Sequence, residues 1–301
     1  MLLNRREHFG RFEETTERRL IMKYRIVADT SSDLFELDGV DYAYASMKIV
    51  AGDRTWVDEK DMDVMEMVEG LKEFKGPSRT SCPNIADWLE AFGDADVVLG
   101  VSITSNLSGS YNAAMLAKNQ YEEEHPGRKV YILDSLSAGP ELKLCIDRMK
   151  EMILAEKPFE EMVKELEEYK KSTYTLFALE ALDNLVKNGR VGTLTAVAAG
   201  VLGIRVIGTA SPVGTIEQIH KCRGEKKTIS TLYKEMKAHG YCGGKVKLDH
   251  VYNEGIAKAM EKTIRAEYPD AVIEIDRCGA LCSFYAEMGG MIIGYEGEER
   301  A

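Results

Sequence analysis

The segment Val97-Val98-Leu99-Gly100-Val101-Ser102-Ile103-Thr104-Ser105-Asn106-Leu107-Ser108-Gly109-Ser110-Tyr111 constrains the fold of this chain more than any other. Its first half is apolar and β-branched, its second half is hydroxyl-rich and holds a glycine, and an alanine-rich stretch over residues 112–120 follows. That order predicts a buried strand, a loop and a helix. Ser108, Gly109 and Ser110 then stand at the helix N-terminus. Unpaired N–H groups and the positive end of the helix dipole face outward at such a place, so a carboxylate or a phosphate fits it. A plain helix cap is the simpler reading of the local pattern.

The same strand-to-helix rhythm recurs along the first half. Arg25-Ile26-Val27-Ala28 is a short strand that runs into the cap-rich loop Asp29-Thr30-Ser31-Ser32-Asp33-Leu34, and open α/β sheets place ligands at such strand ends. Residues 40–50 read as extended and 61–74 as a helix with one apolar face. Ser78-Arg79-Thr80-Ser81-Cys82-Pro83 reads as a second hydroxyl-rich helix start, with Pro83 in the first turn and Thr80 and Ser81 around the cap of a helix over 86–92. A strand over 130–135, a helix towards 154 and another from 159 complete a parallel, helix-flanked sheet over 24–171.

The second half predicts a mixed sheet. A strand over 173–178 precedes a helix over 179–187 closed by Asn188-Gly189-Arg190, where glycine follows the last turn. Residues 193–203 form an apolar, small-residue helix, expected to be buried at a domain interface or against an apolar ligand. Strands over 206–209 and 215–222 pair as a hairpin across Pro212-Val213-Gly214, and further strands over 246–252, 272–275 and 291–295 alternate with helices over 226–239 and 254–267. The expected fold is therefore α/β with two domains, residues 22–171 and 172–301. Residues 1–21, rich in arginine and glutamate and without the apolar core of a signal peptide, are expected to be a disordered N-terminal extension.

At 301 residues, either half is long enough to bury a core, and 45% hydrophobic with 30% charged residues is a globular composition. A net charge of -11 argues against nucleic acid or an anionic membrane as partner. The longest nearly uncharged apolar stretch, 194–204, is far too short for a bilayer, so no stable membrane insertion is expected. Within 187–227 the charge reverses, with Lys187, Arg190, Arg205, Lys221, Arg223, Lys226 and Lys227 against Glu217 and Glu225. That excess is either a solvated face or a docking surface for an acidic partner or a phosphate.

Six cysteines without a CxxC pair or a secretory signal read as reduced thiols in a cytoplasm. Cys278 and Cys282 have no nearby histidine to complete a zinc set, and no metal is expected. A nucleophile elbow, a P-loop and a dinucleotide fingerprint are all missing, so no cofactor is expected. His8, His125, His220, His239 and His250 lie in no motif that would supply a base. Hydroxyl and backbone donors without a base describe a binder.

Five segments, in order, resemble the DegV family of bacterial fatty-acid-binding proteins: Ala28-Asp29-Thr30-Ser31-Ser32-Asp33-Leu34, Thr80-Ser81-Cys82-Pro83, Leu107-Ser108-Gly109-Ser110-Tyr111, Leu133-Asp134-Ser135, and Asn188-Gly189-Arg190 with Lys221-Cys222-Arg223-Gly224. The resemblance implies a lipid-binding protein that encloses one long-chain fatty acid in an apolar tunnel between two α/β domains. It implies a carboxylate held by hydroxyls at Thr80, Ser81 and Ser108, beside Gly109. It also implies presentation of the acid to a separate ATP-dependent fatty-acid kinase, which makes acyl-phosphate for phospholipid synthesis. Arg190 and Arg223 match arginines near the carboxylate and the kinase-docking face, and Arg205 and Lys221 are grouped with them. The chain departs from the family at Cys82, where glutamine is usual, at Asn188 in the usual G-G-R, and at Arg205-Val206 in place of K-P. The family's H-T-G-P-G loop is replaced by Ile275-Asp276-Arg277-Cys278-Gly279, and Arg277 is expected to pair with the carboxylate in place of the histidine. Two alternatives stay open: an enzyme acting on a small anionic substrate at the Ser108 loop, and a regulatory protein with a degenerate lipid pocket.

Overall fold

A computed structural model describes residues 22–191 and 203–299. β1 (Tyr24–Asp29) ends in a 3-10 turn over Thr30–Ser32, and β2 (Asp41–Ala45) pairs with it in parallel. Next come β3 (Lys48–Ala51), β4 (Arg54–Val57), α1 (Val64–Glu73) and β5 (Ser78–Ser81). Then α2 (Ile85–Phe92), β6 (Val97–Ser102), α3 (Ser110–Glu124) and β7 (Lys129–Asp134) follow. The first sheet runs β2-β1-β6-β7, all parallel, as the strand-to-helix rhythm predicts. Its two faces show the period of a strand: Ile26 and Ala28 pack on one side, and Val27 faces Trp88, Phe92 and Ala117 on the other.

β5 corrects the reading of Thr80 and Ser81 as cap residues. Ser78–Ser81 is a strand, antiparallel to β3 in the small sheet β4-β3-β5, with Ile49 opposite Thr80. The cap of α2 is Asn84, whose side chain accepts from Asp87 N at 3.1 Å while the Asp87 carboxylate accepts from Asn84 N at 2.8 Å. That reciprocal box satisfies the helix start without either hydroxyl.

The chain continues through α4 (Pro140–Leu154), α5 (Phe159–Lys170), β8 (Thr173–Leu179), α6 (Asp183–Lys187), β9 (Ile204–Ala210) and β10 (Ile216–Arg223). It ends with α7 (Glu225–Ala238), β11 (Val246–His250), α8 (Glu254–Glu267), β12 (Ile273–Arg277), α9 (Ala280–Ala286) and β13 (Met291–Glu296). The second sheet, β10-β9-β8-β13-β11-β12, is mixed: β11 and β12 are parallel and the other pairs antiparallel. The expected hairpin is β9 and β10, closed by a turn in which Ser211 N donates to Thr215 O and Gly214 N to Ser211 O. Leu179 belongs to β8 and not to the following helix, because all seven residues of β8 are buried and its last pairing, to Val206, includes Leu179. The apolar helix expected over 193–203 lies outside the described residues except for Gly203.

α4 joins the two sheets. It packs on β1 and β6 of the parallel sheet and on β8, β11 and β13 of the mixed one. Contact with β13 requires Gly294, where a Cβ would lie 2.5 Å from Glu141 N. The helix carries two buried charges. Glu141 accepts from Lys170 Nζ at 2.6 Å, Thr173 Oγ1 at 2.8 Å and Thr175 Oγ1 at 2.7 Å. Lys143 Nζ donates to Asp249 Oδ1 at 2.8 Å and Asp276 Oδ2 at 3.0 Å.

Candidate functional site

A cavity of about 360 Å³ lies where the carboxyl ends of the parallel strands meet the inner face of the mixed sheet. That volume falls within the roughly 300–1,000 Å³ of small-molecule sites. Its apolar body is built by alternation. Leu176 and Ala178 of β8 face the core under α7 and α8, which turns Thr175, Phe177 and Leu179 into the cavity. Met47, Ile103, Leu281 and Ile292 add apolar wall.

The polar lining includes Thr80, Ser81, Ser108, Gly109 and Arg190, which the sequence singled out, together with Thr104, Ser137, Thr175, Thr209 and Thr215. The Ser108 loop is held by the buried Asp29 carboxylate. Asp29 accepts from Ile103 N at 3.1 Å, Ser110 Oγ at 2.6 Å and Ser31 N at 3.3 Å, so the cap-rich loop after β1 positions the site without lining it. Burial pushes its carboxyl above the usual range, and these bonds oppose that shift. Asp134 accepts from Ser105 N at 3.1 Å, and Asn106 Nδ2 donates to Val213 O at 2.6 Å, which ties the loop to the β9–β10 turn.

Gly109 is the N-cap of α3 and has no side chain to fill the cap. Ser108 Oγ accepts from Ser110 N at 3.2 Å, and Arg190 Nε donates to Leu107 O at 3.0 Å, which brings its guanidinium to the same place. Thr80 Oγ1 lies 2.8 Å from Tyr285 Oη, and Ser81 Oγ makes a long 3.4 Å bond to Cys82 O. A more polar hollow of about 460 Å³ opens beside the cavity and shares Ser108, Gly109, Arg190 and Thr215 with it.

The other basic candidates are not brought to the cavity. Arg277, at the end of β12, is exposed with its guanidinium 5.4 Å from the centre of the Tyr252 ring, and it does not line the cavity. Arg205 pairs with Glu180. Lys221 and Arg223 alternate with buried Cys222 along β10, so both are exposed on its opposite face.

α9 supplies the wall that the sequence reading missed. Asp58 accepts from Ala280 N at 2.8 Å and Leu281 N at 3.1 Å, and Asn184 Nδ2 donates to Phe284 O at 2.8 Å, which fixes the helix at both ends. Burial pushes the Asp58 carboxyl up to about 6, against those two backbone bonds. Burial likewise raises the Tyr285 phenol, opposed by the Thr80 hydrogen bond and the Arg190 charge, and keeps it a neutral donor.

A family model described as "Uncharacterised protein, DegV family" matches residues 23–298. The chain belongs to the DegV family. A DegV domain-containing protein of Streptococcus pneumoniae is 38% identical over 279 residues, covering 91% of this chain and 99% of the relative. The structure of a DegV family protein from Eubacterium eligens loaded with heptadecanoic acid superposes with a TM-score of 0.89 at 41% identity, covering 91% of this chain and 100% of that one. The Streptococcus pneumoniae Fatty Acid Kinase (Fak) B3 protein loaded with linoleic acid gives 0.88 at 38% identity, covering 92% and 100%. As a DegV chain, this protein has the mixed α/β architecture of those neighbours, a parallel sheet beside a mixed one. Among its described residues no helix is long and apolar enough to cross a membrane.

Proposed function

We propose that this DegV protein is a lipid-binding protein of the cytoplasm, not an enzyme, that holds one long-chain fatty acid in a tunnel formed by the cavity. Its carboxylate binds Ser108, Thr80, Ser81 and Arg190 beside Gly109, and the bound acid is offered to an ATP-dependent fatty-acid kinase that makes the acyl-phosphate. The observation that carries this reading is a cavity of mostly apolar lining that also takes in Ser108 and Gly109 at a helix N-terminus, with Arg190 beside them. Each buried methylene contributes about 0.8 kcal/mol. A carboxylate leaves water only where donors and positive potential replace its hydration. Two similar solved proteins were loaded with fatty acids, and one is a fatty acid kinase B protein, which supports both halves of the proposal.

Extraction of the purified protein, and of protein incubated with a mixture of fatty acids, followed by mass spectrometry tests the first half. A stoichiometric fatty acid is expected, and none in either sample sinks the proposal. For the second half, the loaded protein is mixed with a fatty-acid kinase and ATP, and lipid-dependent ADP release is expected.

A further inference from the structure

We infer that Tyr285 is a headgroup-binding residue, acting with Thr80 as a paired hydroxyl donor to the ligand's carboxylate, in the place the sequence gives to Arg277. This rests on the fatty-acid reading above and assigns a contact to a residue outside the family motifs quoted in the sequence.

Tyr285 Oη and Thr80 Oγ1 are 2.8 Å apart, and together they carry two hydroxyl protons. One proton is engaged between them, and no other hydrogen bond of either hydroxyl is made within the described protein. Both residues line the cavity, so the second proton is available to whatever occupies it. Ser108 is in the same condition: its oxygen accepts from Ser110 N, and among the described residues its own proton has no acceptor. With the guanidinium of Arg190, the polar region offers protons from three side-chain sources. Among the described residues, no aspartate or glutamate lines the cavity to receive them. A guest that completes the region therefore brings acceptors and no donors, which describes an ionised carboxylate.

Placement of the phenol is firm. α9 is anchored by Asp58 at one end and Asn184 at the other, and the phenol reaches the hydroxyl of a residue 205 positions away on β5. Headgroup contacts thereby come from β5, the β6–α3 loop and α9 at once. Burial keeps the phenol protonated, so it donates throughout the neutral range.

The test compares oleate with oleyl alcohol, which keeps the tail and loses the charge, in the wild type and in Tyr285→Phe, Thr80→Val and the double variant. Tyr285→Phe is expected to weaken oleate about tenfold, the size of a bond to a charged acceptor, and oleyl alcohol less than about twofold. The double variant is expected to lose little more than the worse single one, because the two hydroxyls act as a unit. Equal loss on both lipids makes Tyr285 wall alone and overturns the inference. Unchanged oleate binding in Tyr285→Phe overturns it as well while leaving the fatty-acid reading intact. A wild type that binds neither lipid overturns both.

Discussion

The hydroxyl of Ser110 donates a 2.6 Å hydrogen bond to the Asp29 carboxylate, across 81 positions of sequence. That bond, with the one from Ile103 N to the same oxygen, fastens the first turn of α3 to the end of β1. Asp29→Ala leaves buried donors on Ser110, Ile103 and Ser31 without an acceptor. It is expected to cost roughly 2–4 kcal/mol in urea unfolding. Lipid affinity is expected to fall with it, because the Ser108 loop loses its anchor; unchanged affinity in the folded fraction would show that the loop stands alone.

Asp58 gives a pH signature. Its carboxyl titrates near 6 in the folded protein and at the model-peptide value of 3.8 when unfolded, so the native state binds the extra proton between those limits. This group's contribution to stability is therefore greatest below pH 4 and declines as pH rises to about 6. Asp58→Asn removes the titration. Denaturation at a series of pH values is expected to show the variant gaining on the wild type from pH 4 to 6, and parallel profiles would refute the assignment.

Lys143 is 3% exposed and is the cation hydrogen-bonded to Asp249 and Asp276. Lys143→Met strands a buried carboxylate and is expected to destabilise by about 3–5 kcal/mol. Lys143→Met with Asp249→Leu replaces the pair by apolar groups and is expected to recover most of that loss. A double variant no better than the single one would contradict the pairing.

Binding measurements separate the arginines. Ser108→Ala is expected to weaken a long-chain fatty acid about tenfold, and Arg190→Ala at least as much. Arg277→Ala is expected to leave the dissociation constant unchanged, since its guanidinium sits over Tyr252 outside the cavity. Isothermal titration with all three variants checks the order.

How much of this was legible depended on the kind of signal. β6, its loop and α3 are written plainly because an apolar, valine-rich run leads into a serine- and glycine-rich loop and then an alanine-rich stretch, and the β9–β10 hairpin is written as plainly around Pro212 and Gly214. β5 is not legible: Ser-Arg-Thr-Ser has no apolar alternation, and only pairing to β3 makes it a strand. α9 spans only seven residues, six of them buried, so no amphipathic pattern marks it, and its start is capped by Asp58 from 222 positions away. Tyr285 was hidden for that reason. Ser108, Gly109 and Arg190 could be placed by local motif, whereas Arg277 was placed by its neighbours in sequence, and the β12 strand carries its side chain away from the cavity.

The helix shared by the two sheets has a thermal consequence. Neither sheet is expected to melt alone, because losing the mixed one strips Glu141 of Thr173 and Thr175, and losing the parallel one exposes Leu142, Ile146 and Met149. Scanning calorimetry is expected to give one cooperative endotherm whose van't Hoff and calorimetric enthalpies agree, where two independently built halves would give two.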